Sequence, residues 1–428
     1  MLLRLTQRLT VDGARAARKR GNVTGSAELD PVDTGQRIAR ARRRAGLTQR
    51  DLAQRLSRSV GWVQKIEQGT RRPDRWSVLH QLADALGVEV VEITGQPYRH
   101  EKADLDSGHA AVPELRLALQ HALMPASAPD REVRPSHELE ADVLRAEQLR
   151  QAARFNVLGG FLPAVLDDLT AAVRESRDSV RPALEALMVR ACHIARVSSS
   201  LLGHHDLAWM AAQRQQAAAI EAGDPLSRGA ADWDLIGVWL HTGALEEARA
   251  HGQAAVEVLA PHVAGDRELY ALWGALHLRI AIAASRLWDR RTAEHHLAQA
   301  RDIAGQTGDV NVAQSMFGPV NAAIHGAEIA LELGDPRAVL ERAEGLEHDV
   351  AALPSIERQS HYWTTRAHGE AMSRHDGQAL KALMRADRLA PEHVRNRPLT
   401  RELVADLLDR ERRKIPHELR TLAIRMGV

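Results

Sequence analysis

A small residue recurs at the head of five short helical patterns, Ala208, Ala248, Ala293, Ala338 and Ala379, at spacings of 40, 45, 45 and 41 residues. The fullest copies, TGALEEARAHGQAAVEVLAP (242–261) and HDGQALKALMRADRLAP (375–391), open on a helix-breaking glycine or its neighbourhood, run through an Ala-rich helix and stop at proline. GHHDLAWMAAQ (203–213), RRTAEHHLAQA (290–300) and GDPRAVLERAE (334–344) are partial copies. A small side chain at a fixed place lets two helices approach closely. A repeated helix–turn–helix pair cannot bury its apolar face alone, so each pair must stack on its neighbours. The expected fold is therefore all-α, with a helical repeat domain over 136–428. An aromatic content of 3% agrees, because strands favour aromatic and β-branched residues.

This pattern resembles the tetratricopeptide repeat over about 180–392. Ala379, Ala386 and Pro391 match the family's Ala–Ala–Pro positions, and Ala248, Ala255 and Pro261 nearly do. The period exceeds the usual 34 residues, so longer helices are expected, and the first-helix signature of the family is largely missing. The resemblance implies a curved α-solenoid that dimerises and binds an effector on its concave face. The first helices of the pairs (225–241, 267–288, 311–333 and 356–374) carry Trp233, Trp239, Tyr270, Trp273, Asn311, Asn321, His325, Tyr362 and Trp363. That mixture of apolar walls and polar handles makes these nine the expected contacts for a peptide, small-molecule or protein effector.

Charge divides the chain. Residues 1–100 hold 19 Lys/Arg and 10 Asp/Glu, a balance of +9, and the remaining 38 and 46 give −8. A basic end on an acidic body points to nucleic acid. Of the 57 basic residues only five are lysine, which reads chiefly as GC-rich coding. Residues 1–31 are expected to be a disordered basic extension. Residues 32–95 are dense in short helical patterns. Five prolines between 96 and 135 suggest a linker, interrupted by one amphipathic helix near PELRLALQHALM (113–124).

Within the basic end, Thr48-Gln49-Arg50-Asp51 is a capping-box pattern that starts a helix. Ser57-Arg58 forms a joint, Ser59 can cap the next helix, and Gly69 is placed to end it. LTQRDLAQRL (47–56), VQKIEQGTRRP (63–73) and LHQLADALGV (79–88) then fall in the order seen in the Cro/phage-repressor (XRE) type of helix-turn-helix, which this segment resembles over about 34–93. The resemblance implies a sequence-specific regulator that binds double-stranded DNA as a homodimer. Gln49 and Arg50 would meet phosphate at a helix N-terminus. Ser59, Val60, Gly61 and Lys65 would face base edges, with Trp62 and Gln64 beside them, and Arg71 and Arg72 would hold the backbone. Arg42 and Glu67 match a structural pair bridging the first and third helices. Ser57 replaces the usual turn glycine, where a left-handed residue is expected at a cost of about 1 kcal/mol. Val60 and Gly61 replace long polar readers, which shifts specificity toward Lys65 or DNA shape.

Other chemistry is not expected. One cysteine, Cys192, supports no disulfide framework. Adjacent histidines such as His204-His205 and His295-His296 point apart on a helix, so no metal site follows. There is no phosphate loop, nucleophile elbow or paired-carboxylate pattern, so neither an enzyme nor a cofactor is expected. No apolar run approaches a membrane span and no secretory signal is legible, which makes the cytoplasm the expected location. The alternative is an interaction scaffold whose helix-turn-helix does not read DNA. The domain order resembles bacterial regulators that respond to peptides or metabolites.

Overall fold

The computed structural model describes residues 33–98, 108–411 and 415–428; the 1–31 extension lies outside them. Among the described residues the fold is all-α, with a single isolated bridge between Val310 and Phe317. Five short helices come first: α1 (Thr34–Arg44), α2 (Gln49–Arg55), α3 (Val60–Glu67), α4 (Trp76–Leu86) and α5 (Val90–Thr94). Ile38, Leu52, Val63, Ile66, Leu79 and Leu82 form their core, each at most 1% exposed. Gly35 lets α1 lie against the end of α3: a Cβ there would stand 2.4 Å from the Ile66 carbonyl oxygen.

The segment expected as a linker contributes α6 (Val112–Leu123), whose Leu115, Ala118 and Leu119 are buried in the body's core. Helices α7 (Ser136–Gln151), α8 (Phe155–Gly159) and α9 (Leu162–Glu175) follow. Phe155–Glu175 is long and apolar enough to cross a membrane by composition, although Asp167 and Asp168 disguise it as shorter apolar runs. In this fold Leu162, Leu166 and Leu169 are packed in the core.

Helix pairs then stack into an α-solenoid. They are α10 (Arg181–Leu202) with α11 (His205–Ala222), α12 (Pro225–Thr242) with α13 (Leu245–Leu259), α14 (Arg267–Arg286) with α15 (Arg290–Thr307), and α16 (Pro319–Glu332) with α17 (Pro336–Ala343). A short α18 (Glu347–Ala352) precedes α19 (Ile356–Met372) and α20 (Asp376–Leu389), and α21 (Pro391–Asn396), α22 (Pro398–Arg410) and α23 (His417–Met426) complete the chain. Ala208, Ala248, Ala293 and Ala379 are fully buried at the pair contacts. Ala338 is only half-buried, and Val339 beside it takes the inner place on the shortened α17.

The third expected first helix, 311–333, starts late. Val310–Phe317 closes a hairpin-like loop in which Ala313, Gln314 and Met316 all have positive φ (47°, 57° and 52°). Pro319 follows at the first helical position, where its missing N–H and fixed φ cost nothing.

The solenoid curls until its ends meet. Arg150 of α7 pairs with Glu357 of α19 (2.5 Å), and the Asn156 N–H donates to Glu392 (2.8 Å). The helix-turn-helix is seated on the same curl. Trp76, at the start of α4, is 8% exposed and lies against His241 with the Arg286 guanidinium over its ring. Leu399 of α22 joins the core formed by Ile38 and Leu79.

Candidate nucleic-acid interface and solenoid lumen

The helix-turn-helix geometry is set by local caps. The Thr48 N–H donates to the Asp51 carboxylate (2.8 Å) and the Asp51 N–H to the Thr48 hydroxyl (3.1 Å), which starts α2. Ser57 takes φ 52°, the left-handed turn that its place required. Ser59 then accepts the Trp62 N–H at 3.2 Å and starts α3. Arg42 clamps Glu67 through Nε (2.5 Å) and Nη2 (3.0 Å), with both side chains mostly buried. Burial pushes the Glu67 carboxyl up, but hydrogen bonds from Arg42 and Gln49 outweigh it and hold the pKa below its ordinary value.

Gln49 donates its amide to Glu67 (2.8 Å), so its head is fixed at the N-terminus of α2. Arg50, Ser59, Gly61, Gln64, Lys65 and Arg71 are exposed, and Val60 and Trp62 are half-buried. Lys65 has no protein partner among the described residues. The Trp62 ring has two guanidinium groups over it, Arg71 at 5.9 Å and Arg58 at 5.8 Å. Arg58 was not among the expected contacts; its place in the turn joining α2 to α3 is what sets it beside Trp62. Arg72 is the exception on this face. It reaches Glu402 (3.3 Å) and Asp409 (3.1 Å) of α22, so its charge is spent on the body and not offered to phosphate.

The seat of α4 is built from buried polar groups. Glu332 of α16, 1% exposed, accepts the Ser77 N–H (2.9 Å), while the Ser77 hydroxyl donates to the Glu332 carbonyl (3.1 Å). The body thus caps a helix of the helix-turn-helix. Arg286 pairs with Glu332 (3.2 Å) and donates to the Leu240 carbonyl (2.6 Å). Burial raises the Glu332 carboxyl, and Arg286 and the Ser77 N–H oppose it. Arg75 lies over the Trp288 ring at 4.9 Å.

Beyond Trp76 the curl lines a partly open cavity of about 150 Å³. Its walls come from one stripe on each first helix: Ala275, Arg279, Ile282 and Arg286 on α14, at spacings of four, three and four, and Asn321, His325 and Glu328 on α16, with Glu332 next on the same stripe behind Arg286. Of the nine expected effector contacts, Trp233, Asn321 and His325 line this lumen. Asn311 lines a neighbouring cleft and accepts hydrogen bonds from Gln151 and the Met316 N–H.

The other five lie off the stripe and serve packing. Trp239 meets Trp209 and His251. Tyr270 stacks on Trp273, whose indole N–H donates to the Val256 carbonyl. The Tyr362 hydroxyl donates to the Ala343 carbonyl, and Trp363 lies beneath Arg385. The lumen's own chemistry, Arg150, Arg196, Arg279, Arg286, Arg358 and Arg397, was not anticipated. The signal was an arginine pair seven residues apart, Arg279 and Arg286, in a helical stretch, 269–286, otherwise without charge.

The histidines of this region are held neutral. Burial pushes His361 down to about 4, His393 to about 3, His368 to about 3 and His80 to about 3. His361 Nδ1 lies 2.6 Å from the Arg397 guanidinium, which can only donate. The ring proton therefore sits on Nε2 and donates to Glu328 (2.9 Å). These folded-state values lie below the unfolded value near 6.5, so below that pH the unfolded chain binds more protons. Stability is full above pH 6.5 and falls as pH drops toward 4, on the order of 1 kcal/mol per such histidine per pH unit. Chemical unfolding at pH 7.5, 6 and 5 should show a steep monotonic loss; equal stability at pH 7.5 and 5 would contradict the buried neutral rings.

Residues 33–94 match the family model of a helix-turn-helix domain, a match that covers the five helices described above. No curated protein and no solved structure matches the chain.

Proposed function

We propose that the chain is a sequence-specific, double-stranded-DNA-binding transcriptional regulator of the Cro/repressor type, whose tetratricopeptide-like repeats dimerise and bind an effector in the lumen. The observation that carries the reading is the disposition of α3. Its Gly61, Gln64 and Lys65 are exposed while α4 is buried in the body, so seating the domain leaves the reading face open. The helix-turn-helix match and the basic charge of the first hundred residues support the same conclusion. Gln49 orients Glu67 and the start of α2. Ser59, Val60, Gly61, Gln64 and Lys65 enter the major groove, and Arg50, Arg58 and Arg71 flank it at phosphate, with Trp62 between the latter two.

Two results test this reading. Lys65→Ala should relax preference at one base position by about 1–3 kcal/mol, while Arg71→Ala should weaken binding to all sequences alike and reduce the salt slope by about one. A selection from random duplexes, followed by titration at several salt concentrations, reads both. An unchanged consensus for Lys65→Ala would remove α3 from the groove. A single such domain contacts few bases, and two-fold dimers set half-sites about one helical turn or a multiple apart. Sedimentation of the full chain should give a homodimer held mainly by the body after residue 136, and a 1–95 fragment should be monomeric and bind the site far more weakly. A full-length monomer at concentrations that protect DNA would rule the dimer out.

A further inference from the structure

We infer that the lumen is a binding site for a small organic acid, its carboxylate held by Arg279 and Arg358 and its apolar part against Trp233 and the floor made by Trp76. This rests on the reading of the lumen as an effector site, and gives that effector a chemical class.

Charge carries the argument. Six arginines line the cavity, and the carboxylates in ion pairs with them are four: Asp234 with Arg196, Glu357 with Arg150, and Glu332 and Glu328 with Arg286. Arg397 donates to the neutral His361 ring. Arg279 and Arg358 remain with no carboxylate within 4 Å and no acceptor for their guanidinium N–H groups among the described residues. Arg279 has only the Trp233 face, 4.1 Å from the ring centroid. Burial and the nearby Arg196 push its pKa down to about 9, so it keeps its charge at neutral pH. Both side chains are half-buried, and charge left without a counter-ion there is costly, so two such guanidinium groups on one lumen favour an anion between them.

Orphaned polar atoms on the same walls leave room for a polar ligand: one donor for the acid's oxygens and two acceptors for a hydroxyl or water beside it. Arg196 Nε, His193 Nε2 and Asn321 Oδ1 belong to side chains less than 5% exposed and have no partner. A planar guanidinium pair favours carboxylate or phosphate oxygens. The wall of Trp233, Leu278 and Ile282 favours an organic acid over a bare inorganic ion. A space of about 150 Å³ suits a molecule on the scale of benzene. Trp76 belongs to the helix-turn-helix, so the acid would touch both parts of the chain at once.

The test is calorimetric titration of the full chain with benzoate, succinate and inorganic phosphate, each against chloride at matched ionic strength. Benzoate or succinate should bind saturably at one site per chain. Arg279→Gln/Arg358→Gln should weaken binding by more than about tenfold, since a charged hydrogen bond contributes about one such factor each. Exposed Arg337→Gln should change nothing. In the ligand-free protein, Arg279→Gln or Arg358→Gln alone should raise the melting temperature by removing an unpaired charge; a lower one would show the guanidinium already satisfied. Binding no stronger than chloride, equal binding by the double variant, or a preference for phosphate over both acids would each overturn the proposal. The readout is independent of DNA: acid binding without DNA binding discards the regulator reading alone, and DNA binding without acid binding discards this site alone.

Discussion

Replacing Glu332 with alanine should release the helix-turn-helix from the body and cost about 3–5 kcal/mol, the scale for breaking a buried pair by removing one partner. The change takes from Arg286, over Trp76, the nearer of its two carboxylates, leaving Glu328 at 3.6 Å, and strips the cap from the Ser77 N–H. A buried N–H loses its acceptor and a buried guanidinium loses its closer carboxylate in one step, which is why the effect exceeds that of an ordinary surface ion pair. Glu332→Gln keeps an acceptor for Ser77 and should cost less. Hydrogen exchange over Trp76–Leu86 and the unfolding midpoint read the result. Native-like protection of α4 in Glu332→Ala would show that the seat is held elsewhere, by Leu399 and the Arg72 bridges alone.

Arg42→Ala should unfold the helix-turn-helix while the solenoid stays helical. Arg42 supplies two hydrogen bonds to Glu67, whose side chain is 7% exposed, and a third to the Leu47 carbonyl at 2.7 Å. Removing it buries a carboxylate whose remaining partner is Gln49, with a cost of about 3–5 kcal/mol. A unit of this size has about 3–9 kcal/mol in all. DNA binding should be lost with little change in total helicity. Arg42→Ala with Glu67→Ala should be more stable than Arg42→Ala alone, because no unpaired charge is left. A single variant that binds DNA like the parent would show that this pair does not hold α1 to α3.

Much of this architecture was legible in the residues. The caps of α2 and α3 are local, so Thr48, Asp51 and Ser59 announce them without any tertiary knowledge. The repeat spacing is carried by alanines whose small size is itself the packing requirement, and they are buried at four of the five places. What was not legible depends on which way a helix turns. Aromatic content marked the first helices of the pairs, but Tyr270, Trp273, Tyr362 and Trp363 lie off the 4–3–4 stripe that faces inward. Only the curl of the whole solenoid defines that stripe. Arg72 looked like its neighbour Arg71 for a similar reason. Its partners Glu402 and Asp409 are more than three hundred residues away, and nothing local distinguishes a phosphate contact from a bridge to the body. The start of α16 moved because the Val310–Phe317 bridge bends residues 310–317 away from helix, at a cost in left-handed backbone that helical periodicity cannot express.

We propose that the open face of α3 reads DNA while α4 is held by the repeats. Selection of genomic fragments by the full chain, with Lys65→Ala in parallel, tests it most directly. The parent should return a recurrent two-fold site, with half-sites about one helical turn or a multiple apart, and the variant should lose base preference at matching positions in both half-sites. Recovery of the same unrelated fragments by both proteins, with affinity set only by salt, would contradict it.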